Sequence, residues 1–148
     1  MTAAVRRAQA HDVSALVDAY DWLFAPPGLV PPRWDAARAA ATLRDLIDAP
    51  DAGVLVADDG VIVGFCTVYL DIRSVRFGQR AWIEDLAVHP ERRSLGIGQR
   101  LLASAREWAT DYGATHLELD SATTRTDAHR FYQRHEPSWQ SVCFGWEL

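Results

Sequence analysis

Apolar residues recur at helical spacing at Val13, Leu16, Val17, Tyr20 and Leu23, which predicts a helix over residues 11–24 with Asp12 as its cap. Residues 3–9, ahead of it, read as a short first strand. The stretch APPGLVPP, 25–32, holds four prolines. These remove backbone donors and fix φ, so no regular element forms there. An alanine-rich second helix follows over 33–49 and stops before Pro50. Residues 52–71 read as two strands joined at Asp58-Asp59-Gly60, an Asp-Gly hairpin signal. Residues 80–90 form a further strand closed by Pro90. Next comes a helix with Leu101, Leu102, Ala105, Trp108 and Ala109 on one face, then a strand over 115–121, a short helix over 126–135 and a final strand over 141–148. Hairpins first and helices between later strands predict an α/β or α+β domain with a mixed, mostly antiparallel twisted sheet flanked by helices.

At 148 residues the chain is one domain with room for a real core. A net charge of −5 argues against nucleic acid as a general partner and leaves room for a cationic small molecule. Cys66 and Cys143 stand alone in apolar, strand-like runs and read as buried free thiols, with no disulfide and no metal. No apolar run approaches the ~20 residues of a membrane span and the N-terminus carries no signal-peptide core, so a cytoplasmic protein without a membrane partner is expected. Of six tryptophans most are expected in the core.

Two glycines open the third long helix, where each costs roughly 1 kcal/mol against alanine inside a helix. Gly96 and Gly98 therefore imply a close approach to the backbone. Unpaired N–H groups at a helix start, reinforced by the helix dipole, form an anion site, and Arg92 and Arg93 add charge at the same end. A phosphate cradle over residues 92–99 is expected. A dinucleotide fingerprint would need a third glycine where Leu101 stands, and a P-loop would need Gly-Lys-Ser/Thr where Gly98 is followed by Gln99 and Arg100.

Arg93-x-x-Gly96-x-Gly98, following IEDLAVHPE, resembles the acetyl-coenzyme A signature of the GNAT superfamily of N-acetyltransferases. AHRFY, 128–132, is similar to that family's A-x-x-x-Y before its final strands, and the order of elements fits over nearly the whole chain. The resemblance implies acetyl transfer from acetyl-coenzyme A to a primary amine; no His or Cys/His grouping in the sequence supports a metal. Arg92, Arg93, Ser94, Leu95, Gly96, Ile97, Gly98 and Gln99 would hold the cofactor's phosphates. Backbone N–H groups of Leu86, Ala87 and Val88 would hold its pantetheine arm and polarise the thioester carbonyl. Arg125 stands where the family has an asparagine that contacts the cofactor, and Glu136-Pro137 replaces a glycine-aromatic pair.

An ammonium must lose a proton before it can attack, because it has no lone pair and its pKa lies near 10. Glu84 and Asp85 are adjacent, so in a regular strand only one faces the thioester. The face shared by Trp82, Glu84 and Leu86 holds the family's usual base positions, so Glu84 is taken as the base, against the alternative of a solvated strand carboxylate. Tyr132 stands where the family places the acid that protonates the leaving sulfur; the alternative is a ring that only packs helix on sheet. His89 reads as a turn residue.

IEDLAV before the glycine motif and the ending FGWEL look like the branch that includes diamine, polyamine and thialysine-type acetyltransferases. Asp71, Glu84 and Asp85 would then form an acidic patch for a small cationic amine, and Trp34, beside the proline loop, a wall of the acceptor site. Arg73, Arg76 and Arg80 adjoin the same strands and would favour an anionic substrate or stand in solvent. Protein N-terminal or lysine acetylation, and a sensor that binds acetyl-coenzyme A without turnover, are the competing readings. A homodimer is the remaining partner expected.

Overall fold

The computed structural model describes residues 2–148. Its sheet has the order β1 (Ala4–Arg7), β2 (Ala52–Asp58), β3 (Ile62–Ser74), β4 (Gly78–Val88) and β5 (His116–Glu118). The first four strands pair antiparallel, and β5 lies parallel to β4. Helices α1 (Val13–Ala19), α2 (Asp21–Phe24) and α3 (Ala36–Asp48) precede β2, α4 (Ile97–Asp111) links β4 to β5, and α5 (Thr126–Arg134) follows β5. No helix among the described residues is long and apolar enough to cross a membrane.

Alternation along the central strands builds two cores. Leu55, Ala57, Cys66, Val68, Ala81 and Ile83 face Ile97, Leu101, Ala105 and Trp108 of α4. Val54, Val56 and Phe65 face Val13, Leu16 and Ala19 of α1 and Leu43 of α3. β2 is thus buried on both faces, which explains its continuous apolar run. The α4 axis sits low on the sheet because Gly64 lies beneath it: a Cβ there would come within 2.9 Å of Leu101 Cδ1 and 3.0 Å of Ile97 Cγ2. The cap of α3 is Asp35, whose Oδ1 accepts the Arg38 N–H at 2.8 Å.

Several sequence expectations need correction. The first helix breaks into α1 and α2 after a 3-10 turn at Ala10–Asp12. β3 and β4 run far into the stretch read as a connection, leaving only residues 75–77 as the turn. The last predicted strand does not form. The chain leaves α5 with Glu136 in the left-handed region at φ 53°, Pro137 offers no N–H, and three-residue β5 presents a short edge to pair with. Residues 136–148 are accordingly exposed. Cys143 is exposed rather than buried, and Asp120, by hydrogen bonding to its thiol, holds it above the ordinary cysteine range. Of the tryptophans only Trp108 is fully buried; Trp139 and Trp146 lie outward at 52% and 81% exposure.

Candidate active site

The start of α4 has the geometry of an anion cradle. Gly96 caps the helix at φ 80°, a conformation that costs a side-chain-bearing residue strain. The first intrahelical bond runs from Arg100 N to Gly96 O at 3.2 Å, so the amides of Ile97, Gly98 and Gln99 precede it and point out of the helix. Ile97 is 3% exposed and roots this turn in the core. Ser94, Leu95 and Gln99 are exposed around it. Arg93 is exposed and its Nε donates to the Val88 carbonyl at 3.3 Å. Arg92 is diverted: its guanidinium is ion-paired with Asp59 in the β2–β3 turn. Arg92 therefore gives the cradle less charge than its position suggested.

One side of the neighbouring cavity is shaped by a β-bulge. Thr67 pairs with Asp85 and Val68 with Ile83, so Glu84 is the extra residue of β4. Before it, Ala81 and Ile83 point to the α4 side; after it, Leu86 and Val88 pack on that side and Ala87 on the other. The offset leaves Glu84 and Asp85 together on the α1–α3 side, where both line one cavity of about 570 Å³. Strict alternation allowed only one of them there, so the bulge corrects that expectation, and it takes Leu86 off the shared face. Beyond Trp82, β4 loses its pairing with β5, which leaves the β5-facing backbone of Leu86, Ala87 and Val88 without a strand partner. Such an open edge fits an extended amide arm.

Asp85 is the better buried of the two acids. Its Oδ2 accepts from the Tyr20 hydroxyl at 2.7 Å and the Thr67 hydroxyl at 3.3 Å, while its N–H donates to Thr67 Oγ1 at 3.1 Å. Burial first, and Glu84 second, push its pKa up to about 6; the Tyr20 hydrogen bond works the other way. Burial and the Asp85 charge keep Tyr20 protonated. Tyr69 is likewise pushed up by burial and by Glu84 beside it. Tyr132 lines the same cavity from α5, with its pKa pushed up to about 12 mainly by burial, so it holds its proton at neutral pH.

This arrangement gives a signed pH prediction. Folded Asp85 keeps its proton to about pH 6, whereas an ordinary aspartate releases it near 3.8. Between those values the folded state binds more protons, so stability falls as pH rises through the window and stays lowered above it, by roughly 2–3 kcal/mol. Asp85→Asn removes the charge and still offers an oxygen to Tyr20. The variant is expected to melt higher than the parent at pH 8 and to lose that advantage towards pH 4. Lower stability of Asp85→Asn at pH 8 would mean that the Tyr20 bond outweighs burial.

The cavity wall comes from the aromatic cluster of Tyr20, Phe24 and Trp34, with Tyr20–Trp34 centroids 5.4 Å apart and Phe24–Trp34 centroids 4.7 Å apart. Trp34 lines this cavity. Asp71 is not part of the site: it and Glu118 both bind Arg80, at 2.7 and 3.0 Å. That pairing also neutralises Arg80. Arg125 lines the cavity, but its Nη2 donates to the Leu23 carbonyl at 2.8 Å, so it clasps the start of α5 to the end of α2 instead of reaching the cradle. His89 is a turn residue, its Nδ1 accepting the Glu91 N–H at 3.1 Å.

Sequence reasoning missed Tyr20, Thr67, Tyr69 and Ser121. Tyr20 sits at helical spacing with core residues and showed no sign of its hydroxyl's partner. Ser121 lines the cavity with a buried Oγ that has no partner among the described residues, an atom that a polar group of a bound molecule would satisfy. Asp35, Glu84, Asp85 and Asp120 face the cavity against Arg38 and Arg125, so acidic groups outnumber basic ones.

Residues 15–136 match the family described as Acetyltransferase (GNAT) family. Among curated proteins, an 80-residue stretch is 36% identical to the aminoalkylphosphonate N-acetyltransferase of Salmonella typhimurium, covering 54% of this chain and 52% of that one. An 81-residue stretch is 36% identical to the streptothricin acetyltransferase of Streptomyces lavendulae, covering 55% and 41%. The aligned part thus spans about half or less of these relatives' own length. The aminoglycoside N-acetyltransferase AAC(6')-Iy, solved in complex with CoA, superposes with a TM-score of 0.83 at 18% identity over 98% of this chain and 94% of that one, a likeness of fold. Signature, sheet order and family match agree, and the chain belongs to the GNAT acetyltransferase family.

Proposed function

We propose that the protein transfers an acetyl group from acetyl-coenzyme A to the primary amine of a small cationic acceptor bound in the Glu84–Asp85 cavity. The observation that carries this reading is the bulge that turns both carboxylates into a cavity also lined by Tyr132. Acetyl-coenzyme A supplies an acyl thioester, whose carbonyl carbon takes the amine and whose sulfur leaves. The α4 amides and Arg93 would hold its phosphates, and the open edge of β4 at Leu86, Ala87 and Val88 its amide arm. Asp85, anchored by Tyr20, attracts the ammonium through its charge. Glu84 is exposed, so it can take the ammonium's proton and pass it to solvent, freeing the nitrogen lone pair. Tyr132 holds a proton that the departing sulfur requires. The aromatic wall of Tyr20, Phe24 and Trp34 suits a cation's alkyl flank and its charge.

The names of the relatives support small amines as acceptors, since the streptothricin and aminoglycoside enzymes bear such names. The acid excess in the cavity favours a cation over the anionic amine in the name of the Salmonella relative. Glu84→Gln keeps the shape and removes the base. Turnover is expected to fall roughly 10²-fold, and the limb on which the parent's rate rises with pH should flatten. Parent and variant profiles that coincide from pH 5 to pH 9 would take Glu84 out of the mechanism.

A further inference from the structure

We propose that Arg125, which lines the cavity together with Tyr132, stabilises the negative charge that forms on Tyr132 when its proton goes to the departing sulfur. Arg125 is the N-cap of α5, and Ala128 and Tyr132 follow it at the spacing of one helix face. All three line the cavity. Arg125 Nη2 donates to the Leu23 carbonyl at 2.8 Å, and the proline-rich loop closes over that bond. A Cβ at Gly28 would collide with the Leu23 oxygen and lie 2.7 Å from Arg125 Nη2, so the guanidinium is packed in place. The half-buried Arg6, Arg80 and Arg92 are each held by a carboxylate. Arg125 is half-buried too, yet it forms no ion pair among the described residues.

A fixed cation without a carboxylate partner is costly unless negative charge arises beside it. At the amine end it would oppose the acceptor's own charge. The charge that acts on Asp85 is that of Glu84, whereas Arg125 is the cation that acts on Tyr132, against the burial that pushes this phenol up to about 12. Cys66 of β3 also faces Tyr132, and burial keeps it an uncharged thiol. Glu84 and Asp85 line the same cavity from β4. When the carbon–sulfur bond breaks, its electron pair goes to sulfur. Tyr132 gives the sulfur its hydroxyl proton and is left a phenolate until solvent returns one. Burial makes that phenolate costly, and a cation already held by the Leu23 carbonyl lowers the cost without rearrangement. This role rests on the function proposed above, in which Tyr132 is the proton donor.

Arg125→Gln and Arg125→Lys separate charge from clasp, because both side chains can still donate to the Leu23 carbonyl and only lysine keeps the charge. A difluorotyrosine placed at position 132, whose phenol ionises at lower pH, reports that charge by fluorine NMR with no co-substrate present. Its midpoint should rise by roughly one pH unit in Arg125→Gln and stay near the parent's in Arg125→Lys. With the fastest amine of a polyamine and aminoglycoside panel, kcat should fall roughly tenfold or more in Arg125→Gln and recover in Arg125→Lys, with the KM for acetyl-coenzyme A little changed. A midpoint that stays put, or two variants equally slow, would overturn the proposal and leave Arg125 a clasp. So would a raised KM for acetyl-coenzyme A at unchanged kcat, which would place Arg125 on the cofactor. A parent that releases no thiol with any amine would remove the proposed function and this role with it, a failure visible before any substitution is made.

Discussion

Tyr132→Phe should bind acetyl-coenzyme A like the parent and turn over at roughly one-hundredth of its rate or less. The substitution keeps the ring that packs beside Phe131, at a centroid distance of 5.3 Å, and removes only the hydroxyl. Burial pushes that hydroxyl up to about 12, so it is protonated throughout the working range and its loss removes a proton donor, not a charge. The defect should therefore lie in kcat, with the KM for acetyl-coenzyme A little changed. Single-turnover kinetics with a fixed amine measures this directly. A variant as fast as the parent would make Tyr132 a packing residue and leave protonation of the sulfur to water.

Gly98→Val should abolish the stabilisation that acetyl-coenzyme A gives the parent. At 100 times its dissociation constant a ligand adds about 2.7 kcal/mol to folding, a shift plain in a melting curve. A Cβ at Gly98 would already lie 3.4 Å from Phe131 Cζ, so the valine methyl groups crowd the gap between α4 and α5 beside the first-turn amides. The body of α4 is held elsewhere, by Ile97, Leu101, Ala105 and Trp108, so the unliganded variant should remain folded. A normal ligand-induced shift in the variant would show that the phosphates bind somewhere other than the start of α4.

The two glycines, the downstream tyrosine and the order of elements carried the fold and the cradle into the sequence, because each is a local pattern with a steric or periodic cause. What stayed hidden depended on register. Glu84 and Asp85 share a face only because β4 carries one more residue than β3 at that point, and no residue type announces the insertion. Tyr20 reads as core until the bulge brings Asp85 to its hydroxyl. Asp71 looked like a partner of Glu84 until β3 proved long enough to give it to Arg80. Arg92 looked like part of the cradle until the hairpin turn supplied Asp59. The final strand failed for the opposite reason: its alternation is genuine, but Pro137 and the short β5 leave it no neighbour in its own chain.

The central claim, that a cationic amine is acetylated between Glu84, Asp85 and Tyr132, is tested most directly by release of thiol from acetyl-coenzyme A in the presence of an amine panel. The panel should contain diamines and polyamines, aminoglycosides, an aminoalkylphosphonate, acidic amino acids and lysine-containing peptides. The account predicts turnover with one or more of the small cationic amines, at a kcat/KM at least tenfold above that of every anionic amine and peptide. A preference for the aminoalkylphosphonate or for peptides alone would contradict it, as would the absence of thiol release with every amine from a protein that acetyl-coenzyme A demonstrably stabilises.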